Sequence, residues 1–300
     1  MSAARAAVRA LASTVLGQLP SRVQQGDRLI LAYHNVVPRT QPPIGERTLH
    51  MPDDLFAAQL DVLQQELDIV PLMDIIEREA PAERRVALTF DDACASALSL
   101  GVRACVARGL PVTVFVAPSL LGTVPWWDEQ AAAGRWPDVA RAEFLNARQG
   151  IVTHTPASQL AAELEVLRIA HKEELDAIVT LPGITLGNHT MRHANLSRLS
   201  AAEVGEEIAA AHHWLLQHYP LVTVPVVAYP YGLPPADETA HRVRGVEHGM
   251  LAAGGWWLAG SAQSHGVIPR WNVPAPIPIG RFRSVVRGPF RRRPHTGATA

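Results

Sequence analysis

Short unbroken apolar runs alternate along this chain with longer stretches in which apolar residues return every three or four positions. Leu29–Tyr33, LILAY, follows Gly-Asp and ends at His34, which predicts a buried strand. After a loop with prolines at 42 and 43, leucine and alanine recur at helical spacing from Asp53 to Gln65 behind an acidic start. DIVPLMDIIERE predicts a short strand and a helix. Arg85–Phe90, RVALTF, is a second buried strand that stops at Asp91 and Asp92; ACASALSLGVRACVARG is a helix closed by Gly109, and PVTVFVAP a third strand. The same order recurs around GITLGNH and VTVPVVAYPYG. Strands that are apolar throughout are buried on both faces, so these units imply a parallel α/β sheet, either covered by helices on both sides or closed into a barrel.

Leu121–Thr155, containing VPWWDEQAAAGRW, interrupts the rhythm and predicts a helical excursion over the barrel mouth. Helical spacing returns over Ala157–Ile178 and over Ala201–His218, the latter with Ser200 as cap and Glu203 three residues on. No linker or repeat divides the chain. The expected organisation is one domain over 26–290, a weakly amphipathic helical extension over 1–25 and a basic, disordered tail over 291–300.

Composition narrows the function classes. The 300 residues carry 27 basic and 28 acidic side chains, so there is no basic field for nucleic acid, and the only dense basic run is Arg291–Arg293. The two cysteines, Cys94 and Cys105, form no C-x-x-C pair and are expected to be buried thiols. The N-terminal apolar stretch Ala10–Leu19 is interrupted by Ser13, Thr14, Gly17 and Gln18, unlike a signal peptide, and no apolar run reaches the roughly eighteen residues of a membrane span. The expectation is a cytoplasmic protein, with peripheral membrane contact only through a lipid-linked substrate.

LGNHTMRHANLSRLS places His189 and His193 four residues apart, a spacing that lets two imidazoles share one ion on a helical turn. Alone, the pair reads more readily as two surface histidines among thirteen. The doublet Asp91-Asp92 supplies what it lacks. Strand ends at a barrel mouth gather active sites, and one carboxylate there can bind an ion while its neighbour stays free. Asp92 with His189 and His193 gives two nitrogens and one oxygen, an open set of the kind found in catalytic sites. The competing role for the doublet is an N-cap for the following helix.

LTFDD, HTMRH and YPYG together, in this order and spacing, resemble the first three motifs of the polysaccharide deacetylases, the NodB-homology carbohydrate esterases. LAYHNV, WWDE and IPRWNV resemble further signatures of the branch acting on bacterial surface and biofilm polysaccharides, so the resemblance spans Leu29–Val273. It implies a distorted (β/α)7 barrel with one divalent ion, zinc or else cobalt, nickel or manganese, on Asp92, His189 and His193, and Asp91 as general base. It also implies that Tyr231, in a turn shaped by Pro230 and Gly232, offers its backbone N–H to an oxyanion. Two departures stand out. Ala228 occupies a position where many members carry arginine, and no late L-x-H motif supplies the general acid. By resemblance to the biofilm branch His34 takes the acid's place. Arg270 is a candidate for the missing positive charge, or else part of a surface salt bridge. Trp127, and Trp126 beside it, could stack on a sugar or simply cover the barrel. The implied reaction is metal-dependent hydrolytic N-deacetylation of an N-acetylated polysaccharide, oligosaccharide or lipid-linked glycan. The alternatives are hydrolysis of another amide or of an O-acetyl ester, and carbohydrate binding without catalysis.

Overall fold

A computed structural model describes residues 23, 26–41, 44–77, 84–135, 154–156, 162–237, 240, 242–243, 245–258 and 267–288. The expected N-terminal helix over 1–25 and the basic tail therefore lie, apart from Val23, outside the described residues. So does most of the second half of the excursion before Thr155.

Seven parallel strands close into a barrel. In chain order they are β1 (Arg28–Tyr33), β2 (Arg85–Phe90), β3 (Val112–Val116), β4 (Ile184–Asn188), β5 (Thr223–Ala228), β6 (His248–Gly254) and β7 (Val267–Asn272). Each pairs with the next, and β1 closes the ring by pairing with both β2 and β7. The closure is uneven: β1 matches β2 from Arg28↔Arg85 to Tyr33↔Phe90 but meets β7 only at Leu31↔Trp271 and Ala32↔Asn272. A two-residue strand, Asp68–Ile69, adds to the outside of β2. This is the distorted (β/α)7 barrel, with the parallel strands that the apolar runs required.

The helices are α1 (Asp53–Glu66), α2 (Leu72–Glu77), α3 (Arg103–Val106, continuing a wide π turn over Ala97–Val102), α4 (Trp126–Ala132), α5 (Lys172–Ile178), α6 (Ala201–His218) and α7 (Ile279–Val286). Ser200 and Glu203 form the expected reciprocal cap of α6. The helix expected over Ala157–Ile178 is not continuous. A 3-10 stretch at Ala162–Leu167 and α5 are separated by an extended Arg168–Ala170, because that segment bonds to neighbours instead of to itself: Ala95 N–H donates to Arg168 O, Ala170 N–H to Ala93 O and Ile169 N–H to Thr123 O. The excursion is helical only over α4 among the described residues, and Thr123–Val124 pairs antiparallel with Thr155–Pro156. Both cysteines are buried, and burial pushes the Cys105 thiol up to about 12.

Side chains alternate across the barrel wall with period two. Leu29, Leu31, Val86, Leu88, Phe90, Val112, Val114 and Val116 pack in one cluster with helix residues such as Phe56 and Leu60. Their neighbours Ile30, Ala87, Phe115, Val224, Val226, Ala228, Met250 and Ile268 form a second cluster. The inward set includes small residues because seven strands enclose little room. A Cβ on Gly187 would stand 2.3 Å from the Phe115 ring. The same parity, carried one residue past the strand ends, sends His34, Asp91 and His189 toward the mouth.

Candidate functional site

His34, Asp91 and His189 directly follow β1, β2 and β4, and the inward alternation brings the three together. Asp91 N–H donates to Tyr33 O at 2.8 Å and His189 N–H to Val116 O at 2.9 Å, so the strand ends stay stitched as the side chains emerge. Asp92 then adopts φ 68° and Ala93 φ 56°, left-handed values that break the extended run. The break gives the two adjacent carboxylates different surroundings where a continuing strand would have sent them to opposite faces. Thr190 (φ 64°), His193 (φ 54°) and Tyr231 (φ 59°) are also left-handed, so every such non-glycine residue among those described lies in or beside the proposed site. Strain of this kind costs about 1–3 kcal/mol per residue and collects at functional sites.

Asp92, His189 and His193 are buried, and one ligand atom from each lies within 4.8 Å of the others. His189 Nε2 is 3.3 Å and His193 Nε2 3.1 Å from Asp92 Oδ1. Nevertheless, Asp92 Oδ1 makes no hydrogen bond to any described residue. His189 Nδ1 lies 2.8 Å from Ala228 O, and because a carbonyl only accepts, the ring proton is at Nδ1. In neutral His189 the Nε2 lone pair therefore faces Asp92, an arrangement that requires a cation between them, either a proton or a metal ion. Two imidazoles and one carboxylate, one imidazole fixed by a carbonyl behind it, fit a zinc-type ion. Burial alone would raise the Asp92 carboxyl, but His193 and His189 outweigh it and hold it well below the usual range.

Asp91 is held differently. Arg270 Nη1 and Nη2 donate to Asp91 Oδ1 and Oδ2 at 2.7 and 2.8 Å, a two-pronged pair, and Nη1 also reaches Thr89 Oγ1 at 3.1 Å. Arg270 is 0% exposed and its guanidinium lies 5.2 Å from the Phe115 ring centroid, inside the barrel. The surface salt bridge considered for Arg270 is thus ruled out: it reaches the site from β7 beneath Asp91. Burial would raise the Asp91 carboxyl, and Arg270, with His189 and His34, more than offsets this, which favours its carboxylate form. His34 Nε2 is 3.9 Å from Asp91 Oδ2; burial lowers its pKa, with Asp92 and Asp91 pulling the other way.

Aromatic rings cover His193. Trp127 lies 4.8 Å and Tyr231 4.7 Å from its ring, and the two are 5.9 Å apart. Trp127 is itself buried, whereas Tyr231 and Gly232 are half-buried and Pro230 is buried. Trp126 is half-buried, and its backbone N–H donates to His154 Nδ1 at 3.0 Å. Three neighbours were not singled out from sequence. His154 packs edge-on against Trp127 at 5.7 Å. Asp128 accepts from Glu46 N–H at 2.6 Å and lies 3.3 Å from His50, tying the loop beyond β1 to α4. Glu207 on α6 grips the turn between His189 and His193. Asp128 lies within the quoted WWDE, but nothing in the spacing of His154 or Glu207 marks them.

Comparison with known proteins bears on the fold and the family. The barrel is similar to the Streptococcus pyogenes deacetylase PplD solved with acetate (15% identity, 88% of this chain and 99% of that one, TM-score 0.62). It is also similar to IcaB from Ammonifex degensii (17%, 88% and 99%, 0.62) and to the BpsB deacetylase domain from Bordetella bronchiseptica (17%, 83% and 96%, 0.54). At these identities the likeness shows the fold. No curated protein sequence matches the chain. Residues 78–246, more than half of its length and including the Asp91-Asp92 doublet, both histidines and the Pro230 turn, match the family described as polysaccharide deacetylase, and the chain belongs to that family.

Proposed function

We propose that this chain is a metal-dependent hydrolase that removes the acetyl group from the nitrogen of an N-acetylated carbohydrate, whether polysaccharide, oligosaccharide or lipid-linked glycan. The observation that carries the reading is the pairing of two unlike carboxylates on adjacent residues: Asp92 faces two imidazoles that fit an ion, and Asp91 is held apart by Arg270. Asp92, His189 and His193 would hold one divalent ion, zinc or else cobalt, nickel or manganese. When bound, it supplies a Lewis acid that polarises the acetyl carbonyl and makes water acidic enough to react near neutral pH.

The residues of the chain do the rest. Asp91 accepts the proton of the attacking water; a carboxylate has about four lone-pair sites, and the two bonds from Arg270 leave others available. Arg270 takes the place of the positive charge expected two positions before Pro230, where Ala228 instead lends its carbonyl to His189. The Tyr231 backbone N–H helps to bind the developing oxyanion. His34 delivers a proton to the leaving nitrogen in its protonated form, which burial disfavours and the neighbouring Asp91 and Asp92 carboxylates favour, so that amide and water become acetate and a free amine. Trp127 holds the His193 side of the mouth in place and shields it from water.

The test is a substrate panel. Metal-loaded protein is incubated with N-acetylglucosamine oligomers, an O-acetylated sugar and a small non-carbohydrate amide, and acetate and free amine are measured. Release of both from the oligomers supports the proposal. Acetate without amine from the ester alone assigns the chain to ester hydrolysis, and binding without release assigns it to carbohydrate binding.

A further inference from the structure

The turn from His189 to His193 is not helical, although H-x-x-x-H spacing suggested one helical face. With Thr190 and His193 both left-handed, it cannot be stabilised by its own ladder of backbone bonds. Side chains and α6 take up most of its amides. Thr190 N–H donates to Asn188 Oδ1 at 2.7 Å and Ala194 N–H to Thr190 Oγ1 at 3.0 Å. The two central amides go to a single residue of α6: Met191 N–H donates to Glu207 O at 3.1 Å, and Arg192 N–H to Glu207 Oε2 at 2.9 Å. Glu207 is 3% exposed, and its other oxygen accepts from Arg192 Nε at 2.5 Å. The next residue of α6, Ile208, accepts at its backbone O from the Asn188 side chain at 2.8 Å.

We infer that Glu207 is a positioning residue for the metal centre, its carboxylate acting through the Arg192 amide to hold His189 and His193 at the separation that one ion requires. The inference rests on reading Asp92, His189 and His193 as ligands. A buried carboxylate is costly to keep unless it is fully bonded. Here one carboxylate oxygen takes the Arg192 amide of the peptide segment linking the two imidazoles, so losing the carboxylate frees that amide, and His193 beside it, while the Met191 amide keeps its bond to the Glu207 main-chain carbonyl. Outer partners of ligands commonly tune metal affinity by about ten- to a hundredfold. Arg192 is half exposed and contributes only the counter-charge; the backbone N–H that matters survives its replacement.

The experiment compares the metal-stripped full-length chain with Glu207→Ala, Glu207→Gln and Arg192→Ala. The readouts are zinc affinity against a chromophoric chelator, the visible spectrum of the cobalt(II) form, and thermal unfolding without metal. Glu207→Ala is expected to bind zinc about ten- to a hundredfold more weakly, with an altered cobalt spectrum. Arg192→Ala is expected to stay within about fivefold of the parent, as for loss of a part-exposed ion pair. Should Glu207→Ala not fold, Glu207→Gln carries the test: it keeps the shape but replaces the charge-assisted bond to the Arg192 amide by a neutral one, and weaker zinc binding is expected there too. Weaker zinc binding with unchanged metal-free unfolding supports the inference, and parent affinity overturns it. If the parent binds zinc while Glu207→Ala binds equally tightly with an unchanged spectrum, this inference alone falls. If the parent takes up no metal, the ligand reading falls and takes the inference with it.

Discussion

At Asp91 and Asp92 a single peptide unit separates two carboxylates with opposite surroundings: one holds a guanidinium at both oxygens, the other faces two imidazole nitrogens. The account therefore gives residues of one type opposite jobs. Asp91→Asn is expected to keep its metal and lose turnover by at least about a hundredfold, because an amide cannot accept a proton from water. Asp92→Asn is expected to lose metal affinity first. Metal titration and acetate release on both variants decide it, and an exchange of the two phenotypes would exchange the roles. His34→Ala is expected to keep metal and to lose about 10²–10⁴-fold on amides, but much less on an activated acetyl ester whose leaving group needs no proton. Equal losses on both substrates would mean that His34 serves structure alone. The aspartates and the two histidines stood out because their chemistry is dense in sequence, a doublet and a four-residue spacing followed by a proline turn, whereas His34 was named only through the family resemblance. Arg270 was visible only as a candidate, since sequence cannot show that a strand far along the chain returns beneath Asp91.

At the scale of elements, strands with continuous β-branched or aromatic runs declared themselves, and two did not. β6, HGMLAAG, is rich in alanine and glycine, and β7, VIPRWN, carries Pro269 and a charge. Each is strand-like only because its neighbours pair with it: β6 lies between β5 and β7, and β7 closes on β1. The run Ala157–Ile178 has helical spacing throughout, yet Arg168–Ala170 is recruited by Ala93, Ala95 and Thr123, a tertiary override of local preference. The barrel interior depends on such fits. Gly187 admits the Phe115 ring, which lies under Arg270. Gly187→Ala is expected to cost about 1–3 kcal/mol by overpacking and to lower turnover more than a surface alanine would, since Phe115 must shift beneath the guanidinium that holds Asp91. Urea midpoints paired with acetate release check this; unchanged stability would mean that the ring is not confined as described.

For the whole molecule, burial leaves several histidines neutral. The pKa values of His212 and His248 are lowered, and that of His154 falls to about 4, against an ordinary 6.5. A histidine lowered in the folded state binds fewer protons there than in the unfolded chain. The stability it contributes is therefore present above pH 6.5 and is lost as pH falls toward the folded value. For His154 that window runs from 6.5 to about 4 and is worth at most about 3 kcal/mol. Urea unfolding is expected to weaken steadily across it, and His154→Gln is expected to flatten part of the slope. A variant with the parent's slope would remove His154 from the titration.

The central claim joins metal to deacetylation, and mass spectrometry of N-acetylglucosamine oligomers tests it most directly. The chain is used metal-loaded, stripped by chelator, and stripped then reloaded with zinc. The account predicts loss of acetyl groups from the oligomers with the loaded and reloaded protein and none with the stripped protein. Acetyl loss that survives complete removal of metal, or oligomers left intact by a chain holding a full equivalent of zinc at Asp92, His189 and His193, would contradict it.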